Sequence, residues 1–243
     1  MHKRFTVILG GQWVSGNTQV NFYDAGGNLL NGIDIDFEDQ FNLANRLTTP
    51  FFEATFRFNP KHRLDLTYFN VTRDGTKRVT IDINLPDEPP ITLGTQVNSF
   101  FNTEVFRLAY GYSFVNDGHN EFGLLLGAHV TNISMGIRTA NGVVDYTEKG
   151  AVPLPTIGVH GNYTFVPRLR GRGWMQLFAI EVGDYSGSLT NISLGLEYDL
   201  GNTFSLGAGY NYYGFDIKAT DGDLSGTFAY SVSGPGLYLQ ARF

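Results

Sequence analysis

The side chains that could do chemistry in these 243 residues recur at alternate positions and form no compact motif. Glu53 and Arg57 bracket Thr55, Arg63 and Asp65 flank Leu64, and Arg107 lies between Phe106 and Leu108. Glu121, His129 and His160 each stand beside an apolar residue. Arg170 and Arg172 bracket Gly171, Glu197 and Asp199 bracket Tyr198, and Arg242 sits between Ala241 and Phe243. In an extended chain successive side chains point to opposite faces, so the charges share one polar face and their neighbours an apolar one. Carboxylates and guanidiniums spaced this way can form an ion-paired network or line a polar path, and histidine adds a base or metal ligand. Spacing fixes no third ligand or matched carboxylate near His129 or His160, so polar filling is their expected role, and no catalytic residue or cofactor is expected. The acidic run Asp34, Asp36, Glu38 and Asp39 offers hard oxygens suited to Ca²⁺ but lacks the glycine placement of a calcium loop. A solvated acidic segment is the favoured reading there, with no metal.

These side chains need strands to position them, and the sequence supplies strands throughout. Phe52, Ala54, Phe56 and Phe58 oppose Glu53, Thr55 and Arg57; a turn at Asn59-Pro60-Lys61-His62 follows. Leu64, Leu66 and Tyr68 then oppose Arg63, Asp65 and Thr67. The pattern recurs at Phe106 to Phe114, Phe122 to Val130, Ile157 to Phe165, Ile192 to Tyr198 and Phe204 to Tyr212. About ten strands are expected, with short turns near 59–62, 115–120, 166–168 and 200–202. Longer connections fall at 25–49, 85–94 and 139–150, and brief ones near 184–187 and 221–223. Asp34, Asp36 and Glu38 also alternate with Ile35 and Phe37, so the 25–49 segment is expected as a long loop, or as a cap folded over or into the open end of the strands.

Composition restricts the setting. Charged residues are 16% of the chain, against about 25% in soluble domains. Aromatics reach 14%, there are 30 Gly, and Cys is absent, which removes disulfides and thiolate metal sites. The net charge of −6 argues against a nucleic-acid partner. No run approaches the length of a membrane helix. Met1-His2-Lys3-Arg4 is basic, but Phe5 to Gly11 reads as a strand and not as a signal h-region, so a mature form with an added initiator Met is expected. The polar faces are rich in Gly, Ser, Thr and Asn and nearly free of Lys, which suits a narrow lumen better than a solvent-facing surface. Tyr110, Tyr112, Tyr163, Tyr198, Tyr210 and Tyr212 suit an interfacial girdle, as does Trp13.

The last stretch, Gly236 to Phe243, alternates without a break and ends on an aromatic. It resembles the closing strand of bacterial outer-membrane β-barrels, in which the C-terminal Phe and alternate apolar positions (here Leu237, Leu239, Ala241 and Phe243) are read by the barrel-assembly machinery. The resemblance implies an all-β fold: one closed antiparallel transmembrane barrel spanning 1–243, with short periplasmic turns, longer extracellular loops and both termini in the periplasm. It also implies outer-membrane lipid and lipopolysaccharide as surroundings. At about ten strands the lumen is too narrow for a wide channel. A non-enzymatic barrel giving at most limited passage to small solutes is therefore expected. A surface hydrolase and an adhesion barrel acting through its loops are the alternatives. A ten-stranded barrel also resembles the omptin surface proteases, which use carboxylates and a His at the outer rim. Asp184, Asp216, Asp221 and Asp223 fall at tips here, but His2, His62 and His119 belong to the periplasmic half in this topology. Lipid-modifying barrels that use a Ser and a His on the lipid-facing surface fit no better, since both strand histidines point inward.

Overall fold

The computed structural model describes residues 3–23, 29–80, 82–83, 88–221 and 224–243. His2, Gly26, Gly27, Asn28, Pro86 and Asp223 lie outside the described residues. Among the described residues the strands are β1 (Phe5–Tyr23), β2 (Leu29–Asp36), β3 (Arg46–Arg57), β4 (His62–Arg78), β5 (Gln96–Asn116), β6 (Glu121–Thr139), β7 (Asp145–Val166), β8 (Leu169–Val182), β9 (Tyr185–Asp199), β10 (Phe204–Asp221) and β11 (Leu224–Arg242), with one helix, α1 (Phe37–Phe41). Each strand pairs antiparallel with its neighbour, and β1 pairs with both β3 and β11. Ten strands thus close into a barrel with no free edge, and β2 adds a short ladder beside the far end of β1. Closure is tight: the Phe5 and Phe243 backbones exchange N–H···O bonds of 3.1 and 2.8 Å.

Short turns and both chain ends share one end of the barrel. Asn59 Oδ1 accepts the Lys61 and His62 amides (2.8 and 3.1 Å), and Asp117 Oδ1 accepts those of His119 and Asn120 (2.8 and 2.7 Å). Such side-chain acceptors fix a turn without further packing. At Val166-Pro167-Arg168 the turn places Arg168 at φ 73°.

Two expected loops are shorter than the sequence suggested. The 139–150 segment is strand from Asp145 onward, with only residues 140–144 turning. Its polar residues do not disfavour a strand, because the outer face there is not apolar. The 25–49 segment likewise contains β2, α1 and the start of β3 at Arg46. The strand alternation expected through Glu38 stops at Asp36, where the chain turns into α1. Phe37 and Phe41, four apart, both turn inward on that helix, with ring centroids 5.2 Å apart. Asn42 at φ 53° ends it in the left-handed conformation that terminates helices.

The strands carry two opposite face patterns. In β5, Phe106, Leu108, Tyr110, Tyr112 and Phe114 are exposed outward while Arg107, Ala109, Gly111 and Ser113 are inside. Above Phe106 the sense reverses: Val97, Phe101 and Val105 are buried inside, and Gln96, Asn98, Asn102 and Glu104 lie on the outer face. β4 reverses between Tyr68 and Phe69, and β10 at the adjacent inward positions of Asn211 and Tyr213. The exchange points are register partners, Tyr68 with Phe106, Phe106 with Val130, and Ile192 with Tyr212. One half of the barrel is therefore apolar outside and polar inside, and the other half the reverse. The tyrosines split accordingly: Tyr110, Tyr112, Tyr163 and Tyr198 sit by the short turns, whereas Tyr210, Tyr212 and Trp13 lie toward the far edge of the apolar belt.

Candidate functional site

The half next to the short turns holds two charge clusters, one around Glu121 and one around Glu197. Glu121 at the start of β6 accepts both Arg57 guanidinium nitrogens (2.7 and 2.6 Å), Ser113 Oγ (2.6 Å) and Asn162 Nδ2 (3.0 Å), with Arg63 at 3.6 Å. Arg63 also pairs with Asp65 at 2.9 Å, whose second oxygen accepts Thr55 Oγ1 at 2.7 Å. Around the wall, Arg172 pairs with Glu53 and reaches Glu197 at 3.7 Å; Arg170 binds Glu197 at 2.6 Å and Asp199 at 3.5 Å. Arg242 pairs with Asp199, and Gln240 donates to Glu197. Period-two placement on ten strands thus brings residues as distant as Glu53 and Arg172 into contact. Bidentate pairing suits guanidinium to carboxylate, and multiple donors per carboxylate offset the cost of removing it from water.

Arg107 differs from the other arginines. It lies over the Trp174 ring at 4.0 Å, a cation–π contact. Its Nε donates to Gln176 Oε1 and Nη1 to Thr67 Oγ1, the latter at 3.2 Å. Gln176 in turn donates to Thr156 Oγ1 at 2.8 Å. His129 completes the chain: Asn191 Nδ2 lies 2.9 Å from Nε2, and Thr156 Oγ1 is 3.3 Å from Nδ1. With Asn191 as donor, Nε2 is the acceptor and Nδ1 carries the proton. His160 does not join it. It packs over Gly123 with Nδ1 4.0 Å from Glu121, and neither ring nitrogen has a hydrogen-bond partner. The two histidines share the lumen without sharing a ligand geometry.

Tyr238 separates this layer from the next. Its ring lies across Gly207 and Gly195, where any Cβ would collide with it, and edge-on to Phe51 at 6.2 Å. Above it the interior is apolar and aromatic. Phe69, Val71, Phe101, Leu189, Tyr213, Phe215, Tyr230 and Val232 are all buried. Phe101 lies 5.6 Å from Tyr230, and Phe215 5.5 Å from the same ring. A charged side chain penetrates this layer. Arg73 is fully buried, over Phe101 at 5.0 Å and Tyr230 at 5.6 Å. It pairs with Glu38 of α1 and donates to Thr18 Oγ1, while Glu38 Oε2 accepts the Thr18 amide at 3.0 Å. Phe37, Phe41 and Leu43 pack into the same cluster, so α1 closes the far mouth. Sequence reasoning assigned Arg73 no role; its inward phase, shared with Arg63 and Asp65, was the available signal.

Glu38 gives its oxygens to Arg73 and the Thr18 amide, so this carboxylate of the acidic run is not free in solvent. Asp34 and Asp36 are ladder residues of β2, paired with Asn21 and Gln19. At the far rim, Asp184 accepts the Thr220 amide through its backbone oxygen, and exposed Asp216 accepts Ser188 Oγ at 3.4 Å. Asp221 ends β10 in register with Leu224. His62 and His119 belong to the opposite end, so no described histidine meets these carboxylates.

The internal space follows this division. A cavity of about 300 Å³ opens at the short-turn end among the network residues. Above it, a void of about 30 Å³ lies between Gln12, Phe51, Trp174 and Tyr213.

No family model matches the sequence, and no curated protein matches it. Solved structures match by fold. The outer membrane protease OmpT from Escherichia coli is 12% identical, covers 99% of this chain and 97% of its own, and superposes with a TM-score of 0.66. The attachment invasion locus protein Ail of Yersinia pestis (8% identity, 97% and 99% coverage, TM-score 0.34) and the Pseudomonas putida toluene transporter TodX (9%, 100% and 91%, TM-score 0.37) also match. The chain has the fold of the bacterial outer-membrane β-barrels, closed by ten antiparallel strands.

Proposed function

We propose that this is a sealed outer-membrane barrel whose short-turn half sits in lipid and whose other half projects from the cell surface. The reversal of the two faces along β4, β5 and β10 carries the reading. A wall with apolar residues outward belongs in hydrocarbon, and one with polar residues outward and an aromatic core belongs in water. The short turns and both termini then lie in the periplasm, beside the cavity at that end. Lipid and lipopolysaccharide surround the belt of Leu108, Leu126, Leu206 and their neighbours, and Leu237, Leu239, Ala241 and Phe243 are the positions presented to the assembly machinery. The aromatic layer and α1 restrict passage to small solutes at most, and the role is not catalytic. In planar bilayers the protein gives no conductance or only small steps; large, stable open steps overturn the sealed barrel. Cleavage of a peptide or of lipid A by the unmodified protein overturns the non-catalytic role.

The projecting half favours a second reading, contact with a host or envelope component through its outer end. It puts β2 and α1 at the end away from the short turns. Deleting residues 29–45 abolishes cell attachment on this reading; unchanged attachment counts against it.

A further inference from the structure

The end of the barrel that carries the short turns is rimmed by cations. Arg4, Lys61, His119 and Arg168 are exposed there, outside the lumen's charge clusters. Among the described residues, the Arg4, Lys61 and Arg168 side chains enter no ion pair. Asp117, in the same turn as His119, is committed to that turn: Oδ1 accepts two backbone amides and Oδ2 accepts Asn120 Nδ2 at 3.2 Å. The rim is one connected surface. Asn116 Nδ2 donates to Pro60 O at 2.7 Å, Thr164 Oγ1 to His119 O at 2.7 Å, and the Asp199 amide to Arg168 O at 2.8 Å. The Arg242 amide donates to Thr203 O at 2.9 Å and the Arg57 amide to Arg4 O at 2.8 Å, which returns the circle to β3. Each cation also stands close to an exposed ring: Phe5 follows Arg4, Phe58 precedes Lys61, Phe122 follows His119 and Phe165 precedes Arg168. The far half differs. There exposed Asp74, Glu104, Glu148, Glu181, Asp184 and Asp216 interleave with Arg46, Lys149 and Lys218, and the whole chain is net −6, so the basic rim is not a general surplus of cations.

We propose that the short-turn rim binds the headgroups of anionic phospholipids in the leaflet that meets it, with Arg4, Lys61 and Arg168 as the contacts. This rests on the reading that the short-turn half sits in lipid. The exposed rings mark the edge of the hydrocarbon. Three residues of extended chain span at most about 10 Å, so each cation lies in or beside the headgroup layer, which is roughly 5–8 Å deep on each side of the bilayer. A zwitterionic headgroup offsets its own phosphate with an internal cation, whereas an anionic one leaves the phosphate to the protein. Arginine and lysine both bind phosphate, the first as a fork and the second as a point charge. Each such residue beside an anionic leaflet strengthens binding about fivefold.

The test is native mass spectrometry of the folded barrel, released from a neutral detergent supplied with phosphatidylglycerol and phosphatidylcholine in equal amounts. The unmodified protein retains phosphatidylglycerol in at least tenfold preference, a reading that depends on no variant. Arg4→Gln, Lys61→Gln and Arg168→Gln combined in one chain reduce the preference at least fivefold, with heat-modifiable gel migration confirming that the chain folds. Arg46→Gln, Lys149→Gln and Lys218→Gln combined remove the same charge from the far half and leave the preference unchanged. Equal retention of the two lipids by the unmodified protein, an unchanged preference in the folded rim variant, or an equal loss in the far-half variant overturns the rim as a lipid surface. Equal retention removes this inference alone, whereas a barrel that retains neither lipid removes the lipid belt, and this inference with it.

Discussion

The two halves of the barrel share ten strands, continuous ladders and one hydrogen-bonded wall, yet their interiors are held together by different forces. By the short turns, guanidinium–carboxylate pairs and amide donors fill the lumen, around Glu121, Glu197 and Arg107. In the far half, phenylalanine and tyrosine rings fill it, with Arg73 and Glu38 as an ion pair between the wall and α1. In the proposed orientation the difference follows from what lies outside. Where lipid takes the apolar side chains, the polar ones must be satisfied internally. Where water covers the outer face, the interior is free to exclude it. Backbone pairing specifies the wall in both halves, and the surroundings decide which face is which.

The largest separation between the halves is expected from truncating the aromatic core. Phe101→Ala removes a fully buried ring that packs on Tyr230, Phe228 and Phe37 and lies under Arg73. Removal of a buried Phe costs roughly 3–5 kcal/mol. In urea unfolding from phospholipid vesicles, this variant loses stability by that amount while protease resistance of the short-turn half persists. Loss of less than about 1 kcal/mol would mean that the aromatic layer is loosely packed and the contrast is only compositional.

Next in size is the outer face. Leu126→Arg places a charge in the apolar belt, and an arginine near a bilayer midplane costs about 2–4 kcal/mol in barrels of this type. Ser134→Arg, eight residues further along the outer face of β6, is expected to be nearly neutral. Insertion into vesicles, read by heat-modifiable migration, distinguishes them. Equal loss in both variants would place lipid along the whole strand and abolish the boundary at Val130.

Gly207→Ala tests the junction between the halves. A Cβ there enters the ring of Tyr238, and overpacking of this kind costs roughly 1–3 kcal/mol. The double variant Gly207→Ala with Tyr238→Leu recovers part of the loss in the same urea titration. No recovery would mean that the ring and the glycine are not packed on one another.

Much of the short-turn half was legible in sequence because its alternation is uninterrupted: Phe106 to Phe114 and Leu237 to Phe243 announce an apolar face, and Arg107 and Arg242 the other. The far half was harder to read because its inward residues keep the same phase but change character. Val97, Phe101 and Val105 occupy the positions that Arg107 and Gly111 occupy lower down, so a reader following only polarity loses the face. The partners of each charge could not be read at all. Glu53 meets Arg172 and Glu121 meets Arg57 only after the strands are rolled into a barrel, and spacing along the chain carries no information on closure. α1 was hidden by the local alternation of Asp34, Ile35, Asp36, Phe37 and Glu38; the tertiary gain from burying Phe37 and Phe41 together overrides it.

The smallest effect is expected at the periplasm-facing turn in the proposed orientation, where neither lipid nor core contributes. The Asp117 carboxylate accepts the amides of Asn120 and His119, which hold its pKa below the ordinary carboxylate value. A lowered folded-state pKa contributes stability above the unfolded-state pKa, about 3.9 for Asp, and that contribution is lost as pH falls through the folded value. Asp117→Asn retains an oxygen acceptor for the same two amides but carries no proton equilibrium. The melting temperature of the unmodified protein therefore falls slightly more on acidification below that value than that of Asp117→Asn, and the two converge once the carboxylate is protonated. Parallel pH profiles would show that the turn is held by backbone geometry alone.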